Sequence, residues 1–220
     1  MKEESIVIIV PLASGPVDTI GYVVGCRKTH RAILIDCPIG IEAALDHALA
    51  QHGLALEAVV LTHGHWDHLG DAALVCRAHA IPLAAHQDDA WMIEDPTAFG
   101  HLMQPVHGTA IDRPLVAGET LPVGSLTFGI VHVPGHTPGH IALHEAVHGV
   151  LFAGDVLFRG SIGRTDFPRG DYDTLMRSIT ETLAPIPGET IVYPGHGPST
   201  TMDFERNRNP FIREWLDTVG

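Results

Sequence analysis

Apolar and polar positions come in short alternating blocks over the first third of the chain. Residues 5–11 (SIVIIVP), 18–26 (DTIGYVVGC) and 31–36 (RAILID) are β-branched runs bounded by turn residues, which predicts a meander of three strands. Over residues 41–52 (IEAALDHALAQH) the apolar period lengthens to helical spacing and stops at Gly53, a residue type that often ends helices. A buried strand follows at 57–62 (EAVVLT) and runs straight into His63. Helical spacing returns over 69–80, and 81–85 reads as a further strand. Residues 87–114 hold no sustained period and contain Pro96, Gly100, Pro105, Gly108 and Pro114. That pattern predicts a long, partly helical connection of the kind that carries function or mobility. Strand signals recur around Leu121 and at 126–133, 140–144 and 149–153. An amphipathic helix at 172–183, a buried strand at 190–193 and a helical segment at 203–219, broken near Pro210, complete the pattern. Strands with helices, twice over, predict an α/β (α+β) fold of two sheets with helices outside, in one domain over residues 1–220.

Composition narrows the class. With 45% hydrophobic and 18% charged residues, a disordered chain is excluded. The net charge of −13 argues against a broad nucleic-acid or anionic-membrane surface. No apolar run is long enough to span a bilayer. The opening Met-Lys-Glu-Glu lacks a basic stretch followed by a small-residue cleavage site, so no signal peptide is expected. Cys26, Cys37 and Cys76 are odd in number and lack CxxC spacing, which suits a reduced cytoplasm. The abnormal count is histidine, 16 against 13 Lys and Arg together, so the question becomes where the imidazoles cluster.

They cluster in Thr62-His63-Gly-His65-Trp-Asp67-His68, directly after a predicted buried strand. His63 and His65 are two apart, so on an extended segment both leave the same side. Asp67 and His68 follow as the chain turns into the helix expected at Leu69, and can point at a second position close to the first. Such a segment offers four N/O ligands of the type zinc, iron or manganese accepts. Three further signals end predicted strands: His136 in His132-Val-Pro-Gly-His136-Thr-Pro-Gly-His140, Asp155 in Phe152-Ala-Gly-Asp155, and His196 in Tyr193-Pro-Gly-His196-Gly.

This ordered set resembles the metallo-β-lactamase superfamily over essentially the whole chain. The resemblance implies a four-layer αββα sandwich with a metal site along one edge. It implies one metal held by His63, His65 and His136, and a second by Asp67, His68 and His196, with Asp155 bridging. Asp36 matches the family's early aspartate, which supports a ligand histidine from behind; alternatively it closes a turn, since Cys37-Pro38 follow it and the glycine is delayed to Gly40. Some true β-lactamases carry a cysteine ligand near the second metal, and Asp155 at the matching motif weakens a β-lactam substrate. His140 either orders the loop of His136 or packs. His47, His52 and His79 read as solvent-facing or helix-end residues, while His30, His86, His101, His107, His144 and His148 show no ligand spacing.

The stretch Asp155-Val-Leu-Phe-Arg159-Gly-Ser-Ile-Gly-Arg164-Thr-Asp166-Phe-Pro-Arg169 looks like glyoxalase II and its compact bacterial relatives, and like persulfide dioxygenases. In glyoxalase II the cation at the position of Arg164 contacts glutathione; here Arg164 either does so or forms a salt bridge, with Asp166 and Asp171 as candidate partners. Pro-Gly-His196-Gly-Pro resembles the hydrolases, whereas the dioxygenases read Pro-Ala-His-Asp-Tyr. Few residues follow His196, so the helical extension that adds glutathione contacts in glyoxalase II has no counterpart. The implied activity is hydrolysis of S-lactoylglutathione or a similar 2-hydroxyacyl thioester by a metal-bridging hydroxide. Two divalent ions would serve, zinc first and iron or manganese next, with Asp67 also catalytic. The implied partner is a small thioester, with no nucleic acid or membrane, and the implied state a monomer or small homo-oligomer. The alternatives are a mononuclear iron persulfide dioxygenase using His63, His136 and Asp155, a metallo-hydrolase of another ester or thioester, and a non-catalytic metal-binding protein of the same fold.

Overall fold

A computed structural model describes residues 5–99, 102 and 104–219. Two six-stranded sheets lie face to face. The first runs β1 (Val7–Ser14), β2 (Thr19–Cys26), β3 (Arg31–Ile35), β4 (Ala55–Val60), β5 (Leu83–Ala85) and β6 (Arg113–Pro114) in that spatial order. Its first three strands form the expected antiparallel meander, and β3 to β6 are parallel. The second sheet contains β7 (Thr120–Val123), β8 (Leu126–His132), β9 (Ile141–Glu145) and β10 (Val150–Gly154). A hairpin of β11 (Leu157–Phe158) and β12 (Ser161–Ile162) stands apart, and β13 (Ile191–Pro194) and β14 (Thr200–Thr201) complete that sheet in the order β14-β13-β10-β9-β8-β7.

Between the sheets lies one apolar layer that includes Val24, Ile33, Val60, Phe128, Ile141 and Phe152. Fully burying each such side chain is worth about 1.5–3 kcal/mol. A second cluster fills the outer face of the first sheet, where Leu45 and Leu49 of α1 (Glu42–His52) and Val75 of α3 (Ala72–His79) meet Leu34 and Leu61. The third covers the second sheet with Leu175 and Met176 of α5 (Tyr172–Arg177), Met202 of α6 (Met202–Arg208) and Ile212 of α7 (Pro210–Val219). Helix, sheet, sheet, helix is the expected αββα order.

Local departures have physical causes. The helix expected at 69–80 is split into α2 (Trp66–Leu69) and α3, because Gly70 packs so closely on Pro38 and Ile39 that a Cβ would collide with their backbone. Asp67 and His68 therefore sit within a helical turn rather than ahead of it. The helix at 172–183 keeps α-geometry only to Arg177 and finishes as a π-turn over Ser178–Thr182. The C-terminal break falls at Asn209, extended at ψ 119° as the residue before a proline prefers. Among the described residues of the aperiodic stretch after residue 86, one short helix forms, α4 (Ala90–Glu94), flanked by 3₁₀ turns. Gly100 and His101 lie outside the described residues. No helix is long and apolar enough to cross a membrane among the described residues.

Candidate metal centre

Strand direction gathers the site. β3, β4 and β5 are parallel in one sheet, and β8, β10 and β13 run the same way in the other, so their C-terminal ends share one edge of the sandwich. Asp36 follows β3; His63 and His65 follow β4; His136, Asp155 and His196 follow β8, β10 and β13. Ligand atoms of His63, His65 and His136 lie within 4.8 Å of one another, and so do those of Asp67, His68 and His196. Asp155 faces both groups: Oδ1 is 3.3 Å from His68 Nε2, and Oδ2 is 3.7 Å from His136 Nε2 and 3.6 Å from His196 Nε2. All seven ligand candidates read from the sequence thus meet at one place.

What aims three of the rings is the hydrogen bond on the far nitrogen. His68 Nδ1 donates to Asp36 Oδ2 at 2.8 Å, and His136 Nδ1 donates to the Arg164 carbonyl at 2.6 Å. His63 Nδ1 pairs with Thr62 Oγ1 at 3.1 Å, and that hydroxyl donates onward to Asp36 Oδ2 at 2.8 Å. Such partners fix the tautomer and turn the other nitrogen inward. The inward Nε2 of His68 and of His136, and Oδ1 of Asp155, are buried with no hydrogen bond. Buried polar atoms are rarely left so. An unpaired inward set of imidazole nitrogens and carboxylate oxygens fits a pair of divalent ions of the zinc, iron or manganese type.

The electrostatics suit neutral imidazoles beside ionised carboxylates. Burial, reinforced by neighbouring imidazoles, holds His63 and His140 well below the usual histidine value. Burial and then His136 bring His65 down to about 3, and burial lowers His136 despite Asp155. His68 goes the other way: burial opposes its charge, but Asp155, Asp36 and Asp67 outweigh it and raise it well above the usual value. For Asp67, burial opposes ionisation, yet His68 and the hydrogen bond from His196 bring it to about 2. Burial is likewise overcome at Asp155, by His68 first, and it lies below the ordinary carboxylate range.

Several supporting residues had no clear signal in the sequence. Thr19 Oγ1 donates to Asp67 Oδ2 at 2.8 Å. His140 does more than pack: its Nε2 accepts from the Asp155 backbone N–H at 3.0 Å while its ring stacks on His63 at 4.7 Å. Asp89, buried in the aperiodic stretch, accepts from Gly64 N, Thr137 Oγ1 and Gly139 N at 2.9, 2.6 and 2.7 Å. It ties the loop of His63 and His65 to the loop of His136. The Arg164 guanidinium pairs bidentately with Asp166 at 2.7 Å and lies over Phe167, while Asp171 instead caps α5 through Thr174 N. Arg169 lies over the Trp91 ring. His86 and His132, far apart in sequence, stack at 4.3 Å with Asp88 beside them, and parallel rings cannot both direct a lone pair at one ion.

Comparison with known proteins agrees with this geometry. The sequence profile of the metallo-β-lactamase superfamily matches residues 17–196. Hydroxyacylglutathione hydrolase GloC of Haemophilus influenzae is 39% identical over 187 residues, covering 82% of this chain and 87% of that protein. The crystal structure of the BLEG-1 B3 metallo-β-lactamase superposes with a TM-score of 0.86 at 36% identity, covering 93% of this chain and 99% of that one. That of TTHA1623 in a di-iron-bound form gives 0.79 at 35% identity, covering 92% and 99%. The two-sheet architecture, the metal-capable edge and the profile match together make this chain a member of the metallo-β-lactamase superfamily.

Proposed function

We propose that the chain is a thioester hydrolase that uses two divalent ions, zinc first with iron or manganese next, to cleave S-lactoylglutathione or a similar 2-hydroxyacyl thioester. The observation that carries this reading is the second trio, Asp67, His68 and His196, standing beside His63, His65 and His136 with Asp155 facing both. A one-iron site built on His63, His136 and Asp155 would leave that trio without a ligand role. Similarity to a hydroxyacylglutathione hydrolase and to a protein crystallised with two irons supports the same reading. Divalent ions bound there would lower the pKa of a water toward about 7 and polarise a carbonyl oxygen.

The chain's own residues do the rest. Asp67, kept ionised and fixed by Thr19, accepts a hydrogen bond from the attacking water and aims it at the thioester carbon. The neutral imidazoles of His63, His65 and His136 hold their lone pairs inward because Thr62 and the Arg164 carbonyl occupy the far nitrogens of His63 and His136. A thiolate leaves readily, so no separate strong acid is required at the leaving group. The three thiols are free, which fits a reducing compartment, and we assign the chain to the cytoplasm.

The test pairs metal analysis with two assays, thioester hydrolysis and oxygen uptake with glutathione persulfide, on wild type and His196→Ala. Two ions per chain with hydrolysis that falls by about 100-fold in the variant is the expected result. One iron per chain, oxygen uptake that survives His196→Ala and no hydrolysis would instead establish a dioxygenase built on His63, His136 and Asp155.

A further inference from the structure

Directly after Asp155 the chain makes the β11–β12 hairpin, whose turn is Arg159-Gly160. The Arg159 guanidinium lies 5.1 Å from the centre of the Phe204 ring and makes no hydrogen bond or ion pair among the described residues. Arg164, five residues on, is already matched by Asp166. An unmatched arginine stands out in a chain of net charge −13. It borders a cleft of about 390 Å³ that is also lined by Ile191, Ser199, Thr200, Thr201 and Phe204. That volume is in the range of small-molecule sites, and its mixture of apolar wall, hydroxyls and one fixed cation is typical of them.

The walls are held by a single buried carboxylate. Glu205, fully buried, accepts from Gly160 N at 2.9 Å in the hairpin, from Thr200 Oγ1 at 2.6 Å in the edge strand, and from Asn209 Nδ2 at 2.8 Å. Asn209 Nδ2 also donates to the Ser161 carbonyl at 3.0 Å. The hairpin, the edge strand and the α6–α7 joint are thus tied at one point, which fixes the loop that presents Arg159. Such an investment in a surface turn is unexplained by the metal centre itself, which the network does not touch.

Two of the cleft's lining residues lie close along the chain to that centre. The Phe158 ring is 6.3 Å from the His196 ring, and Arg159 is the next residue. On the other wall, Ser199 is three residues beyond His196, at most about 11 Å along the chain. A carrier held with its reacting carbonyl at the metal centre would have a span of that order to cross to the cleft's near end.

We propose that Arg159, stacked on Phe204, binds a carboxylate of the thiol carrier of the substrate, in a subsite separate from Arg164. A planar guanidinium takes a carboxylate through two parallel hydrogen bonds, and its ring contact pre-orients that face. The proposal rests on the hydrolase reading for its substrate, but its binding test does not depend on turnover. S-methylglutathione, a non-hydrolysable carrier with two carboxylates, is titrated by calorimetry into metal-loaded wild type and Arg159→Gln at about 0.05 and about 0.3 M salt. The variant should bind about 10-fold more weakly at low salt, and the gap should narrow at high salt. With S-lactoylglutathione, KM should rise about 10-fold while kcat changes little, and the neutral S-lactoyl-N-acetylcysteamine should be unaffected. Arg159 is exposed, so the melting temperature should not move. Equal S-methylglutathione affinity in the two proteins, no binding by wild type, or an equal rise in KM for both thioesters would overturn the subsite. Should wild type cleave neither thioester, the hydrolase reading fails, and the calorimetry still decides the subsite.

Discussion

Asp36 adopts φ +58°, a left-handed conformation that aspartate and asparagine tolerate better than other residues with a side chain. Its two oxygens accept from Thr62 N, Thr62 Oγ1 and His68 Nδ1, so it ties the end of β4 and orients a candidate ligand at once. Asp36→Asn preserves the backbone preference and the size but leaves one acceptor oxygen for three donors. Affinity for the second ion should fall about 10–100-fold, the usual effect of losing a partner behind a ligand. Chelator competition measures it, and an unchanged affinity would reduce Asp36 to the tie with Thr62 alone. Asp89 makes a parallel case for stability. Asp89→Ala strands two backbone N–H groups and a hydroxyl in the interior, a loss of about 2–4 kcal/mol in urea unfolding. The exposed neighbour Asp88, changed to Ala, should stay within about 0.5 kcal/mol. A similar loss for both would mean that the tie between the two ligand loops carries no strength.

The loop of His136 is held against a helix, and that contact is testable at the level of elements. Asp171 N donates to the Gly135 carbonyl at 2.8 Å, and Ser178 Oγ donates to the Pro134 carbonyl at 2.7 Å. Gly135 has φ +129°, and a Cβ there would meet the backbone of Leu175 in α5. Gly135→Ala therefore combines a strained backbone with a collision, and should cost about 3 kcal/mol or more. Gly118, at φ +83° in open space, isolates the backbone part, so its change to Ala should cost only about 1 kcal/mol. Thermal unfolding of the two variants separates the terms. The same element contrast explains what the sequence made legible. The meander, α1, β4 and β13 were readable because their apolar periods are set locally, and the ligands because each follows such a strand. β14 is two residues long and exists only by pairing with β13, and the strands of the β11–β12 hairpin are two residues each, too short to show a period. Asp89 acts on residues 25 to 50 positions away, from a stretch with no period. The bond that orients His136 ends on a backbone carbonyl, which no side-chain pattern announces.

Across the whole molecule, the histidine-rich edge sets how stability answers to pH. His63, His65, His136 and His140 all lie below their usual 6.5 when folded, mainly through burial. Below about pH 6.5 the unfolded chain takes up protons at these positions and the folded chain does not, so stability falls as acid is added. His68 and His196 oppose them. Their folded values are raised, so their contribution is full below their ordinary value of 6.5 and is lost as pH rises through the folded values. Four depressed imidazoles against two raised leave a net loss on acidification. Asp67 and Asp155, depressed from the usual 3.8, add a further loss only at lower pH, as acid approaches their folded values. Ion binding steepens the response, because the ligating nitrogens must be neutral and acid competes for them in the unfolded and loosely bound states alike. An ion at about 1,000 times its Kd adds about 4 kcal/mol near neutral pH, and that increment should shrink as its affinity falls. Melting temperatures of metal-free and metal-loaded protein, followed from about pH 8 to about pH 5, should both decline, with the loaded curve falling faster until the two converge. A metal-free curve that stays flat through this range would show that the imidazoles are not buried neutral. A gap between the curves that ignores pH would show that the stabilising ion is not held by histidine.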